Sequence, residues 1–211
     1  MVPTKEEWMR ALAERHGVEL QRKFSSAAVA VCGLGGLGSN IAVSLARAGV
    51  GRLMLIDFDR VDLTNLHRQQ YRADQIGRYK AEALRENLKE AAPYAELEIH
   101  TERITEANAA ELLTGADVIC EAFDDAESKA MLVNTVLETM PSVFLVASSG
   151  MAGLGSVNAI RTRRVTDRFY LCGDEVSDIE GGGFLVSSRV MLCAAHQAHT
   201  ALRILAEQFE V

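Results

Sequence analysis

An α/β fold of three layers, with helices on both faces of a mainly parallel sheet, is predicted by three features of this 211-residue chain. Short apolar runs alternate with helix-like segments at close spacing, as strands joined by helical crossovers do. The run Ala27 to Cys32 meets a glycine-rich turn, Gly33-Leu34-Gly35-Gly36-Leu37-Gly38, which opens a helix-like stretch and leads to a second apolar run ending in Ile56-Asp57-Phe58-Asp59. No repeat, low-complexity tract or linker divides the chain, so one domain is expected, with a helical segment over 1–26, a core over 27–160, and a loop and terminal helix over 161–211.

In chain order, Thr4-Lys5-Glu6-Glu7 reads as a capping box, in which hydroxyl and carboxylate satisfy each other's orphan N–H groups, and starts a helix running to Arg15. A second short helix, Val18 to Phe24, leads into the first strand. In the glycine turn, Gly33 and Gly35 permit backbone geometry that a side chain would forbid, and Gly38 permits close packing of helix on strand. Phosphate can then approach bare N–H groups at a helix N-terminus. Strand, glycine turn, helix, strand, acid is the order of a Rossmann-like nucleotide-binding unit, and Asp57 stands where such units hold a ribose hydroxyl.

Ser39 to Ala48 is the crossover helix, stopped by Gly49, and Arg52 to Ile56 is the second strand. Tyr79 to Ala92 forms a helix ended by Pro93, Leu97 to His100 a third strand, and Ala107 to Leu113 a further helix. Val118 to Phe123 is a fourth strand, which delivers Asp124 and Asp125 to the carboxyl edge where open parallel sheets collect ligands. Asp125 reads as a solvated N-cap of the helix Glu127 to Thr139; the strand Val143 to Ala147 and a small-residue turn, Ser148 to Gly153, come next. Beyond Ile160 the pattern is harder to read. Arg161, Arg163 and Arg164 suggest a basic edge, Cys172 to Glu175 and Gly181 to Gly183 bracket a mobile loop, and Phe184 to Phe209 forms a long apolar helix for packing or dimerisation. The right-handed crossover rule puts Gly33 to Gly38, Asp57 and Asp124 along one edge.

A net charge of −7 exerts no general pull on nucleic acid or anionic membrane, so neither is an expected partner. Met1 to Phe24 is charged throughout and no apolar run nears the ~20 residues that cross a bilayer, so a cytoplasmic protein is expected. Cys32, Cys120, Cys172 and Cys193 are far apart, with no C-x-x-C pair, and read as buried free thiols. His196 and His199 lie three apart with no evident third ligand, so no metal is assigned to them.

The glycine turn alone also suits dehydrogenases and flavoproteins. The segment beyond Asp57 narrows the choice: a polar loop, Asp59-Arg60-Val61-Asp62-Leu63-Thr64-Asn65-Leu66-His67-Arg68-Gln69, and then Lys80, place cations where a nicotinamide enzyme needs an apolar slot. Together with Asp124 and the basic Lys129 five positions on, these residues resemble the ThiF/MoeB/HesA family of adenylating enzymes over roughly residues 10 to 160. The resemblance implies ATP-dependent adenylation of the terminal glycine of a small ubiquitin-like sulfur carrier ending in Gly-Gly. The acyl-adenylate would then accept sulfur from a donor such as a cysteine desulfurase.

The resemblance also implies ATP and Mg²⁺ as cofactors, with the metal on Asp124. Gly33, Gly35, Gly36 and Gly38 form the phosphate loop, Asp57 and Asp59 lie in the nucleotide site, and Asn65, Arg68 and Lys80 meet the phosphates. Gln69 supports the loop, and Lys129 stands where relatives usually carry arginine. Arg15, with Arg10 behind it, is expected to reach a neighbouring subunit's phosphates in a homodimer. The chain lacks the two C-x-x-C pairs of many relatives, so no zinc is expected, and it resembles a short ThiF type linked to thiamine thiazole synthesis. Cys172 is the candidate for a sulfur-transfer thiol, though an inert thiol is the favoured reading. No nucleophile–base arrangement is evident, and none is needed if the attacking group is a terminal carboxylate of pKa about 3.5, ionised at neutral pH. Arg68→Ala or Lys80→Ala should abolish adenylation and leave the fold intact. The alternatives are a molybdopterin-synthase-type carrier, a threonylcarbamoyl-modified tRNA base, or a nucleotide-binding subunit of a heterodimer.

Overall fold

A computed structural model describes residues 2–179 and 183–211. Five strands, β1 (Ala28–Cys32), β2 (Arg52–Ile56), β3 (Glu96–His100), β4 (Val118–Glu121) and β5 (Phe144–Ser148), pair in parallel in the spatial order β3-β2-β1-β4-β5. Alternate residues of β1 serve opposite faces. Val29 and Val31 join the core under α3 (Gly36–Arg47), α4 (Lys80–Ala91) and α7 (Ser187–Leu205). Ala30 and Cys32 join the core under α5 (Ala109–Leu112) and α6 (Ala126–Thr139). With both faces covered, β1 and β4 are buried along their whole length, as central parallel strands are. The three-layer, mainly parallel α/β architecture is therefore the one expected.

Two helices precede the sheet, α1 (Lys5–His16) and α2 (Val18–Ser26). The capping box forms: Glu7 N–H donates to Thr4 Oγ1 at 3.2 Å, and Thr4 N–H to Glu7 Oε2 at 2.8 Å. Lys5, Trp8 and Met9 of α1 lie beside the amino ends of the strands, with Ala28, Arg52, Glu96 and Asp117. That is the edge opposite Asp57 and Asp124.

The departures come after Ile160. Arg161 to Arg164 and Phe169 to Gly173 are strands, β6 and β7; they form an antiparallel hairpin, and β7 adds in parallel to β5. Cys172 therefore lies within a strand, fully buried, rather than in a loop. The arginines do sit on an edge, since β6 is the outermost strand, where charge guards exposed backbone groups against pairing with another chain. Gly181 and Gly182 of the anticipated loop lie outside the described residues. α7 is a packing helix: Val190, Cys193, Ala194, Gln197, Ala198, Ala201 and Ile204 recur at three- and four-residue spacing on its buried side. Among the described residues no helix is long and apolar enough to cross a membrane.

Candidate functional site

Beyond the carboxyl ends of β1, β2, β4 and β5 lies a cleft of about 980 Å³. Two glycines let its floor form. Gly33 has φ +87°, and a Cβ there would stand 2.8 Å from Ala122 O, so the turn passes against the end of β4. A Cβ on Gly38 would come within 1.8 Å of Gly33 O, so only glycine lets α3 start so close to the strand. Gly35 is the N-cap of α3 and provides no side-chain cap, and the first turn carries no acid. The orphan N–H groups and positive dipole end of α3 are thus left for an anion. Gly33, Gly35 and Gly36 line the cleft, while Gly38 packs behind it.

Asp57 is buried and organises the turn: Leu34 N–H donates to its Oδ2 at 2.6 Å and Asp59 N–H to its Oδ1 at 2.7 Å. Burial pushes its carboxyl above the usual value, against the pull of Lys80 and these two N–H donors. Each oxygen retains a lone pair for a hydroxyl donor. Lys80 is almost as buried, with Nζ 2.8 Å from Asp59 Oδ2 and 3.8 Å from Asp57 Oδ2. Its charge is therefore already countered, and Lys80 holds the fold as well as facing the cleft. The expectation that Lys80→Ala leaves the fold intact needs this correction. Arg68 is different: its Nη2 donates to Asn65 Oδ1 at 2.9 Å, and among the described residues it makes no ion pair. Burial lowers its pKa and the charge of Asp124 opposes the shift. Gln69 is buried, and among the described residues its Oε1 has no hydrogen-bond partner.

The end of β4 supplies the facing wall. Asp124 is exposed and lines the cleft; Asp125 caps α6, accepting from Ser128 N–H at 2.7 Å, which lowers its carboxyl pKa. Lys129 also lines the cleft, but its Nζ donates to Glu121 Oε1 at 3.0 Å, to Oε2 at 3.1 Å and to Ser148 Oγ at 3.2 Å. Its ammonium is thus bound to a fully buried carboxylate that the sequence reading missed, although a charge inside an apolar run was the available signal. Among the described residues no three His, Cys, Asp or Glu side chains gather as a metal site. A single carboxylate suits Mg²⁺ only if substrate phosphates complete its coordination, which Mg²⁺ accepts.

Also unforeseen are an aromatic–cation stack, Arg103 over Phe58 at 4.1 Å, and a second wall made by Ser149 to Ala152 and Glu175 to Ile179. That wall hangs on the buried pair Asp174–Arg189. Asp174 further accepts from Ser177 N–H at 2.8 Å, and Asp174 N–H donates to Gly150 O at 2.9 Å. Arg15 is exposed on α1 and does not line this chain's own cleft. Burial pushes the Cys172 thiol up to about 11, which favours the inert reading. His196 Nδ1 shares a hydrogen bond with Thr162 Oγ1 at 2.9 Å.

A family model described as the ThiF family matches residues 9–209. The adenylyltransferase and sulfurtransferase MOCS3 of Caenorhabditis briggsae is 33% identical over 148 residues, which cover 70% of this chain and 36% of that protein. The corresponding protein of Anopheles gambiae is 38% identical over 117 residues, 55% of this chain and 26% of that one. The chain thus spans roughly a quarter to a third of the length of these curated relatives. Among solved structures, Escherichia coli tRNA N6-threonylcarbamoyladenosine dehydratase, TcdA, in complex with ATP superposes with a TM-score of 0.86 at 21% identity, covering 99% of this chain and 98% of that one. E. coli MccB with ATP gives 0.72 at 19% identity, covering 98% and 65%. At such identities the likeness is one of fold.

Proposed function

The chain belongs to the ThiF family, and from that premise we propose that it adenylates the C-terminal carboxylate of a small ubiquitin-like sulfur carrier at the expense of ATP. The observation that carries this reading is the pairing of an uncapped helix N-terminus at Gly35 with Arg68, a cleft cation held by a neutral amide, opposite Asp124. Such a site neutralises a triphosphate and aligns it, which is what in-line attack on an α-phosphate requires. A carrier carboxylate oxygen forms a bond to the α-phosphorus, the bond to the bridging oxygen breaks, and pyrophosphate leaves with its electron pair. Asn65 orients Arg68, Asp57 accepts from the ribose, and the backbone at Gly35 and Gly36 receives phosphate oxygens. Asp124 would hold Mg²⁺ jointly with the phosphates, where the ion would offset their charge.

The names of the MOCS3 relatives couple adenylyl and sulfur transfer, which supports a carrier that ends as a thiocarboxylate. ATP–pyrophosphate exchange tests the reading, with thiamine-branch (ThiS-like) and molybdopterin-synthase-type carriers offered side by side. Exchange that depends on one carrier and disappears when its final glycine is deleted is the expected result; ATP binding without exchange for any carrier would overturn it. The match to TcdA over 98% of its length raises a second reading, adenylation of a modified tRNA base. Charge favours the carrier: Lys80 and Lys129 are neutralised by Asp59 and Glu121, in a chain of net charge −7. Exchange driven by tRNA would reverse that preference.

Arg15 we assign to a partner's cleft, in a symmetric dimer of the commonest kind. Mixing inactive Arg15→Ala with inactive Arg68→Ala protein should restore activity through one intact shared site; no recovery from a mixed dimer would remove Arg15 from the site.

A further inference from the structure

We propose that Glu121 is the positioning residue for Asp124, and that Lys129 serves Glu121 rather than the nucleotide. The inference rests on the adenylating reading of the cleft and adds how its exposed acid is held. Asp124 lies in a two-anchor span. On one side Phe123 N–H donates to Glu121 Oε1 at 2.7 Å; on the other Ser128 N–H donates to Asp125 Oδ1 at 2.7 Å. Both Asp124 and Asp125 line the cleft, but the Asp125 carboxylate is engaged as the cap of α6, which leaves that of Asp124 to face it. Its direction is therefore set by where Glu121 holds the backbone.

Glu121 is itself immobilised from three other elements. Its side chain is 1% exposed, Lys129 of α6 donates to both its oxygens, and Ser148 of β5 joins through its hydroxyl, 3.2 Å from Lys129 Nζ. From α7, buried Gln197 donates to Glu121 O at 2.8 Å. A buried ion pair is a poor device for stability alone, since apolar residues of equal volume often serve as well or better. A carboxylate that must receive a backbone N–H two residues along has no apolar substitute. Lys129 supplies the countercharge that meets this carboxylate inside the sheet.

The test uses Glu121→Gln, Lys129→Met and Asp124→Asn, alone and combined. Metal-free ATP affinity is read by calorimetry, and Mn²⁺ binding to the protein–ATP complex by electron paramagnetic resonance. Glu121→Gln should weaken Mn²⁺ binding about tenfold and leave metal-free ATP affinity within about twofold of the parent protein; in the Asp124→Asn background it should weaken Mn²⁺ binding no further, as coupled neighbours behave. Additive losses, or unchanged Mn²⁺ binding, would overturn the proposal. Loss of metal-free ATP affinity in Lys129→Met would return Lys129 to the phosphates and overturn it too. Should Glu121→Gln alone fail to fold, the charge-neutral pair Glu121→Gln/Lys129→Met carries the same readouts. Neither readout needs a carrier, so failure of the carrier assay and failure of this proposal are distinguishable.

Discussion

Lys80→Met separates two jobs that one lysine performs. The Lys80 side chain is 8% exposed, beside Asp57 at 7% and Asp59 at 49%. Removing one partner of a buried pair costs about 3–5 kcal/mol. Asp59 can turn to water, which screens its share, so the deficit belongs near the lower end, about 3 kcal/mol. Lys80 is also the first residue of α4, where a cation opposes the helix dipole; relief of that term returns only about 0.3–1 kcal/mol. For a chain of this size the balance lowers the melting temperature by roughly 4–11 °C. The deficit also depends on pH. Burial already holds the Asp57 pKa above its unfolded value, and Lys80 resists that rise, so the variant raises it further. A carboxyl with a raised folded pKa favours the fold fully below the unfolded pKa and loses that contribution as pH rises through the folded one. The variant should therefore be most deficient near neutral pH and recover toward the parent as pH falls to the ordinary carboxylate range. Thermal unfolding followed by circular dichroism across that range checks both statements. A melting temperature within about 2 °C of the parent at neutral pH, or a deficit that grows on acidification, would refute the electrostatic account. Arg68→Ala is the control: with no ion pair to break among the described residues, it should lose exchange and keep its melting temperature.

Three further outcomes are expected. Gly35→Ala meets only Gln69 Nε2 at 3.6 Å, with φ at −75°, so it should fold with a loss of about 1 kcal/mol at the cap yet bind ATP much more weakly, whereas Gly38→Ala, 1.8 Å from Gly33 O, should fail to fold; calorimetry and thermal unfolding separate the two. All four cysteines are buried, with Cys172 and Cys193 pushed up to about 11 and about 12, so a thiol reagent at neutral pH should titrate none in the native protein and four in denaturant. Arg103→Ala removes an exposed cation–π stack worth about 0.5–1 kcal/mol, so it should lower the melting temperature by only about 1–4 °C while raising the KM for ATP a few-fold; thermal unfolding and steady-state exchange check the two.

The first five strands and their crossovers were legible because their boundaries carry chemistry of short reach: a capping box at Thr4, glycines at 33 to 38 and at 49, a proline at 93. That Asp57, Arg68 and Asp124 share one cleft was legible for the same reason, as each sits at a fixed distance from such a marker. β6 and β7 were not. Arg161 to Arg164 alternate exposed arginines with half-buried positions on an edge, and five residues from Phe169 carry too little periodicity to separate from a loop. The roles of Glu121 and Arg189 were hidden by distance along the chain. Glu121 takes its meaning from Ser148 and from Gln197, 76 positions away, and Arg189 from Asp174 across a loop. Local pattern shows that a charge is buried; only the fold shows by whom it is met.

The cleft has two walls of unlike construction. One is backbone and glycine at the ends of β1 and β4, where even a methyl group meets a carbonyl. The other is held by the buried Arg189 guanidinium through Asp174, which ties its turn to Gly150, and by Arg163 on Glu175. The first leaves almost no freedom to vary, because any side chain added at Gly33 or Gly38 meets backbone. The second can be recut wherever Arg189 and Asp174 are retained, because the loops they carry end in side chains at the cleft rather than in the sheet. On the proposed reading, selectivity for what is activated can diverge among related chains while the glycine wall stays unchanged, and grafting the loops around Gly150 and Asp174 between them is the way to exchange it.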